Sequence, residues 1–152
     1  MNEMIQRFDN AVLDLWEPHP SPTEESISRI EKNFGIILPK EFIDLARYSK
    51  SYSSYFVSLG PDFDFHGHII EKNNMVRHHD DWLSLGVGLQ LPSNLRIISE
   101  NFMSDFFWCF DISKPGPDYP IVYWAPYYCL IAPYGRYKNF SAFVDGIINK
   151  AA

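Results

Sequence analysis

The sequence lacks long apolar runs and is poor in cysteine. No window approaches eighteen consecutive apolar residues, so we expect no membrane-spanning helix. The first twenty residues contain no positive region followed by an apolar core, which argues against a signal peptide. The two cysteines, Cys109 and Cys129, lie in predicted strands. These features predict a cytoplasmic protein with two buried thiols, and a disulfide between neighbouring strands is the less favoured alternative.

Basic residues are outnumbered by acidic ones. The chain has 13 Lys and Arg against 19 Asp and Glu, a formal net charge of -6 and a pI of about 5.2. Proteins that bind nucleic acid directly carry a basic stripe over the phosphates, so we expect no such binding here. An acidic chain suits a basic protein partner because opposite fields speed encounter. The same charge also serves solubility alone.

Recognisable catalytic motifs are missing. There is no Gly-x-Ser-x-Gly elbow for a nucleophilic serine. Both cysteines have apolar neighbours in the sequence, a setting that raises the pKa of a thiol and makes it unreactive. The run Leu85-Gly86-Val87-Gly88 contains only part of a phosphate-binding glycine fingerprint. We therefore predict no catalytic residue, no cofactor and no enzymatic activity.

Histidine is the metal-ligating residue type that clusters in this sequence. His66 and His68 share one face of a predicted strand, and His78 and His79 follow in a polar loop. Zinc needs three or four ligands held by oriented neighbours, and no known ligand spacing appears here. We predict no metal site. An enzyme or small-ligand binder that uses these histidines stays as an alternative, and it requires a deep pocket.

Aromatic residues are abundant, with 12 Phe, 9 Tyr and 4 Trp among 152 residues. Two apolar runs, 106–112 and 119–124, flank a turn rich in proline and glycine, and this pattern predicts a β-hairpin. Strand alternation places Trp108 and Phe110 on one face and Cys109 on the other. Because both faces carry apolar bulk, we expect the hairpin to form the middle of the sheet.

Helices are predicted on both sides of this hairpin in the sequence. They span 3–16, 22–34, Pro39–Tyr48 and Phe140–Asn149, with Ser21 as the cap of the second helix and Asn139 as the cap of the last. Further strands are predicted at 55–59, 63–70, 95–99 and 127–132, with polar loops at 49–54 and 71–81. The predicted fold is α+β. It is a single domain over 1–152 with a central, mostly antiparallel twisted β-sheet, N-terminal helices and a closing C-terminal helix.

Segment 24–45 combines Glu31 near the end of a predicted helix, the connector Leu38-Pro39, and Phe42 and Leu45 on the next predicted helix. With these positions it resembles the opening of the SUKH superfamily, which comprises fungal Smi/Knr-type cell-wall regulators and many bacterial immunity proteins. The central hairpin and the closing Phe140-x-x-Phe143 helix are also similar to those of the family. The similarity covers residues 20–150.

The resemblance implies a bacterial immunity protein that binds and neutralises a cognate toxin of an intercellular competition system, often a nuclease. It implies a protein partner, for which the acidic charge of the chain favours a basic toxin domain, and the lack of long apolar runs predicts no role at a membrane. The fungal members imply an alternative, an intracellular scaffold or regulatory domain of the same fold.

Acidic residues close to aromatic ones supply the predicted partner surface. The predicted contacts are Asp62, Asp64, Asp80, Asp81 and Trp82, with Tyr127 and Tyr128 as aromatic anchors. Tyr and Trp are favoured at protein interfaces because they bury a large area and keep a polar group. The sequence leaves open whether the chain is a monomer or pairs through a sheet edge.

Overall fold

A computed structural model describes residues 2–12, 20–61, 68–77, 91–100, 106–125 and 130–151. The helices within these ranges are α1 (Glu3–Ala11), α2 (Glu24–Phe34), α3 (Lys40–Tyr48), α4 (Ile69–Arg77) and α5 (Phe140–Ala151), with a 3-10 turn at Tyr52–Ser54. The strands are β1 (Leu95–Glu100), β2 (Phe107–Asp111), β3 (Ile121–Ala125) and β4 (Leu130–Tyr137). The predicted α+β class is confirmed.

The four described strands form one antiparallel sheet in the order β1-β2-β3-β4. The β2–β3 hairpin therefore lies at its centre, as its two apolar faces predict. Phe107 pairs with Trp124 across this hairpin. The register between β3 and β4 shifts between Val122 and Tyr123, which marks a bulge in β4.

Helices α3 and α5 cover one face of the sheet and build the main core. The Phe42 ring lies 5.4 Å from the Phe110 ring and 5.1 Å from the Phe140 ring, measured between centroids. The Phe143 ring lies 4.9 Å from the Trp108 ring. These edge-on and tilted contacts suit aromatic rings and bury a large apolar area. The C-terminal helix thus closes the face that carries Trp108 and Phe110.

The opposite face of the sheet carries a second, smaller core. Cys109 and Val122 lie there among buried apolar side chains, together with Leu91 and with Val76 of α4. Both faces of the central hairpin are therefore buried. This explains why its sequence is apolar at nearly every position rather than at every second one.

Helix α2 begins at a different residue from the predicted one. The Thr23 hydroxyl accepts the N–H of Ser26 at 3.0 Å, and the Ser26 hydroxyl accepts the N–H of Thr23 at 2.9 Å. This reciprocal pair satisfies two backbone donors at once, so Thr23 caps the helix and Ser21 does not. The prediction that Pro22 is the first helical residue is wrong.

Two other helix boundaries were predicted from the sequence. The cap of α5 is confirmed, because the Asn139 side-chain oxygen accepts the N–H of Ala142 at 2.9 Å. Helix α1 is shorter than the predicted 3–16, since it ends at Ala11 and Val12 has an extended backbone.

The largest departure from the sequence prediction is α4. A strand over 63–70 and a polar loop over 71–81 were predicted, whereas Ile69–Arg77 is helical. Lys72 and Asn73 of this helix are buried, with exposed fractions of 5% and 2%. Because these polar residues share its buried side with Ile69 and Val76, the helix has no continuous apolar stripe that its sequence could reveal.

Asn73 ties α4 to the outer edge of β1. Its side-chain oxygen accepts the N–H of Ile97 at 2.7 Å, and its amide donates to the Ile97 carbonyl at 3.0 Å. Nearby, the N–H of Val57 donates to the Ile98 carbonyl at 3.1 Å. The predicted strand 55–59 is reduced to isolated bridges. Side chain and backbone together therefore cover an edge that would otherwise be open to strand pairing.

Candidate partner-binding surface

The seven predicted partner contacts all lie outside the described residues. They are Asp62, Asp64, Asp80, Asp81, Trp82, Tyr127 and Tyr128. Their role in binding stays a prediction. The described residues, called the frame below, include those that flank these segments in the chain, such as Pro61 and His68.

Three consecutive carbonyls just before Asp62 each accept a hydrogen bond from a side chain. They are Leu59 bound by Ser26 at 2.8 Å, Gly60 bound by His68 at 3.0 Å, and Pro61 bound by Arg29 at 3.4 Å. Gly60 is also confined by the backbone, because a Cβ there would lie 2.8 Å from the Pro20 carbonyl oxygen. The segment 58–61 (Ser58-Leu59-Gly60-Pro61) is therefore firmly anchored on α2 and His68.

His68 is a buried structural residue whose two ring nitrogens both bind backbone groups. Its Nδ1 accepts the N–H of Ile70 at 3.2 Å, which assigns the proton to Nε2 and directs it to the Gly60 carbonyl. Burial lowers the pKa of His68, and the positive charge of Arg29 lowers it further. Within the described ranges, His, Cys, Asp and Glu form no group of three that could hold a metal ion. His66, His78 and His79 lie outside those ranges.

Cys109 is a fully buried free thiol, and burial raises its pKa well above the usual value. Burial therefore disfavours the reactive thiolate, which is the physical reason to expect this cysteine to be unreactive. Cys129, the other cysteine, lies outside the described residues.

Cys109 should react with iodoacetamide at least about 1,000-fold more slowly in the native protein than in urea, because alkylation requires a rare unfolded state. Mass spectrometry of the Cys109 peptide measures this rate separately from that of Cys129. Labelling of Cys109 within tenfold of the rate in urea would contradict the burial.

Asp111 is a buried carboxylate at the end of the central hairpin. Its oxygens accept hydrogen bonds from Ser113 at 2.6 Å, Asn94 at 2.9 Å and Arg136 at 3.3 Å. Burial opposes ionisation of Asp111, but the hydrogen bonds from Ser113 and Asn94 and the charge of Arg136 outweigh it and lower its pKa. A general acid–base catalyst needs a pKa near the working pH. Asp111 therefore serves to fasten the turn and β4.

An open groove of about 550 Å³ lies between the C-terminal end of α2 and the turn that joins β2 to β3. Tyr119 and Ile37 meet in its wall, where the tyrosine hydroxyl accepts the N–H of Ile37 at 3.3 Å. A Cβ at Gly116 would overlap the Tyr119 ring, so the turn requires glycine there. The groove is wide open, so it offers a surface rather than an enclosed pocket.

Four large apolar side chains of the described residues are exposed and could contribute contact area to a partner. Among the described residues they are Ile37 (66% exposed), Tyr48 (60%), Tyr55 (40%) and Met75 (37%). Ile37 precedes α3 and Tyr48 ends it. Their residue types do not distinguish them from the buried apolar residues nearby in the sequence. Only the direction of each side chain in the fold determines whether it is exposed.

The residues that carry the family resemblance shape the connection between α2 and α3. A Glu31 carboxylate oxygen accepts the N–H of Leu38 at 2.7 Å, which fixes the connector. Leu38 is buried, and Phe42 and Leu45 have no exposed surface. These positions therefore define the fold rather than a reactive site.

The described residues form an antiparallel sheet covered by helices. None of the helices in this part of the chain is long and apolar enough to cross a membrane. The model of the SMI1 / KNR4 family (SUKH-1) matches residues 21–146. The chain therefore belongs to the SMI1 / KNR4 family.

A crystal structure of a protein from Pseudomonas syringae pv. tomato is similar, with a TM-score of 0.63 and 19% sequence identity. The alignment covers 95% of this chain and 96% of that chain. At this identity the likeness shows the fold alone. No curated protein matches the chain.

Proposed function

We propose that this protein is a bacterial immunity protein, a cytoplasmic and non-enzymatic domain that binds and neutralises a basic toxin. Family membership supports an immunity or regulatory role. The distribution of charge in the sequence is the observation that favours neutralisation of a basic partner.

Seven of the 19 Asp and Glu lie in four stretches, 13–19, 62–67, 78–90 and 101–105, that contain none of the 13 Lys and Arg. The rest of the chain has twelve acidic and thirteen basic residues, so these stretches account for the acidic excess. Trp82 directly follows Asp80 and Asp81, whereas Tyr127 and Tyr128 lie in a stretch without acidic residues. Acids beside aromatic residues are the composition expected of a surface that attracts a basic protein and then anchors it.

On this proposal, Asp62, Asp64, Asp80 and Asp81 supply the attraction. Their field speeds encounter with a basic toxin domain and makes the encounter sensitive to salt. Trp82, Tyr127 and Tyr128 then bury apolar area against the partner. Inhibition of a toxin requires only that such a complex block its active surface, so the inhibitor needs no chemistry of its own.

Affinity capture with this protein as bait tests the proposal. We expect one stoichiometric basic partner with toxic activity, bound at low salt and released at high salt. A housekeeping partner would favour the regulatory scaffold that the family also contains. A retained small molecule or metal without a protein partner would overturn the proposal in favour of ligand binding.

Reversal of four acids to lysine, at Asp62, Asp64, Asp80 and Asp81 together, should weaken binding of the captured partner by about 100- to 1,000-fold. Like charges facing each other cost several kcal/mol, and each 1.4 kcal/mol is about tenfold in affinity. In surface plasmon resonance at low salt, we expect most of this loss of affinity to come from a lower association rate constant.

In a matched control, lysine replaces four exposed acidic residues among the described ones: Glu3, Glu24, Glu25 and Asp118. Both variants change the net charge equally, so the difference between them isolates the position of the charges. Circular dichroism verifies that each variant is folded. Equal losses in the two variants would reject the proposed surface and leave only a general charge effect.

A further inference from the structure

The groove between the C-terminal end of α2 and the β2–β3 turn has a highly exposed apolar side chain in its wall. Ile37 is 66% exposed, and its backbone is held by the Tyr119 hydroxyl, which accepts its N–H at 3.3 Å. Gly35, another lining residue, leaves open space, since a Cβ there would meet no atom within 4 Å. The groove therefore offers an apolar contact that is fixed in position and accessible to a partner.

Glu31 supplies the same groove with a half-buried carboxylate. One of its oxygens, Oε2, accepts the N–H of Leu38 at 2.7 Å. Within the frame no cationic side chain pairs with Glu31, and its other oxygen has no hydrogen-bond donor. Because the bond to Leu38 already restricts the rotamer of Glu31, pairing with a cation costs little further side-chain entropy. Glu31 is therefore a preorganised acceptor for a positive group.

The other charged groups of the frame near this groove leave the Glu31 carboxylate unpaired. Lys32 also lines the groove, but it follows Glu31 directly on α2, and adjacent residues of a helix do not face each other. The exposed turn contributes Lys114 and Asp118, whose charges cancel. The C-terminal end of α2 adds the partial negative charge of its carbonyls, which also attracts a cation. The groove is thus complementary to a side chain that is apolar along its length and positive at its end.

We propose that this groove receives an arginine side chain of the basic partner. The guanidinium pairs with Glu31, and the aliphatic stem lies along Ile37. Arginine suits the site better than lysine because its planar head is more weakly hydrated and is therefore easier to remove from water. The identity of the partner rests on the proposed function, whereas the contact itself is made entirely by residues of the frame.

Two charge deletions on neighbouring residues test the sign of the occupant. Glu31→Gln keeps an oxygen for the Leu38 N–H but removes the charge, so it should weaken binding of the captured partner by about 10- to 100-fold. Lys32→Gln is the matched control in the same groove. It should strengthen binding by about two- to tenfold, because it removes a like charge beside the arginine. Changes of the opposite sign in the two variants would overturn the proposal in favour of an acidic occupant.

Binding kinetics separate this contact from long-range attraction. Because the arginine is desolvated against Glu31, Glu31→Gln should mainly raise the dissociation rate constant, whereas distant charges act on association. Weaker binding that comes only from a lower association rate constant would reject a direct pair. Hydrogen exchange of the Leu38 amide in the free protein shows whether Glu31→Gln leaves the connector between α2 and α3 intact.

Ile37→Ala tests the apolar contact without disturbing the core, because the side chain is exposed and the backbone bond to Tyr119 is kept. It should weaken binding by about tenfold. Tyr48→Ala is the matched control, since Tyr48 is 60% exposed and does not line the groove. Its affinity should stay within about twofold of the wild type. Equal effects of the two substitutions would reject the groove, and this comparison decides the question if Glu31→Gln alters the connector.

Double-mutant cycles identify the arginine itself. Each arginine of the captured partner is replaced by alanine and measured against the wild type and against Glu31→Gln. We expect one arginine whose replacement weakens binding to the wild type but has little effect in Glu31→Gln, with a coupling of about tenfold. Coupling of Glu31 to a lysine, or to no basic residue, would overturn the assignment.

The groove and the proposed function fail separately in these experiments. Wild-type affinity in both Glu31→Gln and Ile37→Ala would reject the groove and leave neutralisation of a toxin standing. Capture of a basic partner that is not toxic but binds through Glu31 and Ile37 would support the groove and reject toxin neutralisation. Failure to capture any basic protein would reject both.

Discussion

Replacement of Phe42 by alanine is expected to lower the free energy of unfolding by about 3–5 kcal/mol. The Phe42 ring has no exposed surface and lies at the meeting point of four other aromatic rings. These rings, with centroid distances, are Tyr52 (6.0 Å), Phe56 (5.9 Å), Phe110 (5.4 Å) and Phe140 (5.1 Å). Truncation leaves a cavity that these four rings, which come from separate parts of the chain, cannot fill together. Domains are stable by about 5–15 kcal/mol, so the loss is a large part of the total.

Urea unfolding followed by tryptophan fluorescence measures this loss. Tyr48→Ala on the same helix is the matched control, since Tyr48 is 60% exposed and its truncation should change stability by about 0.5 kcal/mol or less. The dependence of the free energy on urea should be unchanged in both variants. If Phe42→Ala cost less than about 1.5 kcal/mol, the position of Phe42 at the centre of the core would be wrong.

Replacement of Asn73 by leucine is expected to lower the free energy of unfolding by about 2–4 kcal/mol, although leucine has a similar volume. The Asn73 side chain binds both the N–H and the carbonyl of Ile97, and it donates to the Ile69 carbonyl at 2.8 Å. Leucine would leave the Ile97 groups buried without these partners, and each unsatisfied group costs about 1–3 kcal/mol.

Asn74→Leu provides the control for Asn73→Leu, because Asn74 is the next residue on α4 and is exposed. It should change stability by about 0.5 kcal/mol or less. Equal effects of the two substitutions, measured by thermal or urea unfolding, would mean that the contact between α4 and β1 contributes little. Size-exclusion chromatography adds a second readout, since an uncovered β1 edge favours association between strands.

The candidate surface rests on composition and stays a prediction. Acids such as Asp62 and Asp80 stand out in the sequence because aromatic residues accompany them. The anchoring of segment 58–61 was not predictable, since it depends on Ser26 and Arg29, about 30 residues earlier in the chain. The exposure of Ile37 and Tyr48 could not be predicted either, because a sequence does not show whether an apolar residue is exposed or buried.

The sequence by itself determined the central hairpin, the α+β class and the closing helix. A run such as 106–112 has apolar residues on both faces, and only a strand covered on both sides gives each of them a place to be buried. Asn139 and the apolar residues after it likewise specify a helix start locally, because the cap and the stripe lie within a few residues of each other.

Only the tertiary structure decided the helical state of Ile69–Arg77 and the environment of His68. The buried side of α4 includes the polar residues Lys72 and Asn73 as well as apolar ones, and Asn73 is stable there because the β1 edge supplies its hydrogen-bonding partners from 24 residues away. His68 similarly obtains its burial and its hydrogen bonds from Gly60 and Ile70. A polar residue is stable in a buried position only when folding brings hydrogen-bonding partners to it. Local sequence patterns therefore do not predict which polar residues are buried.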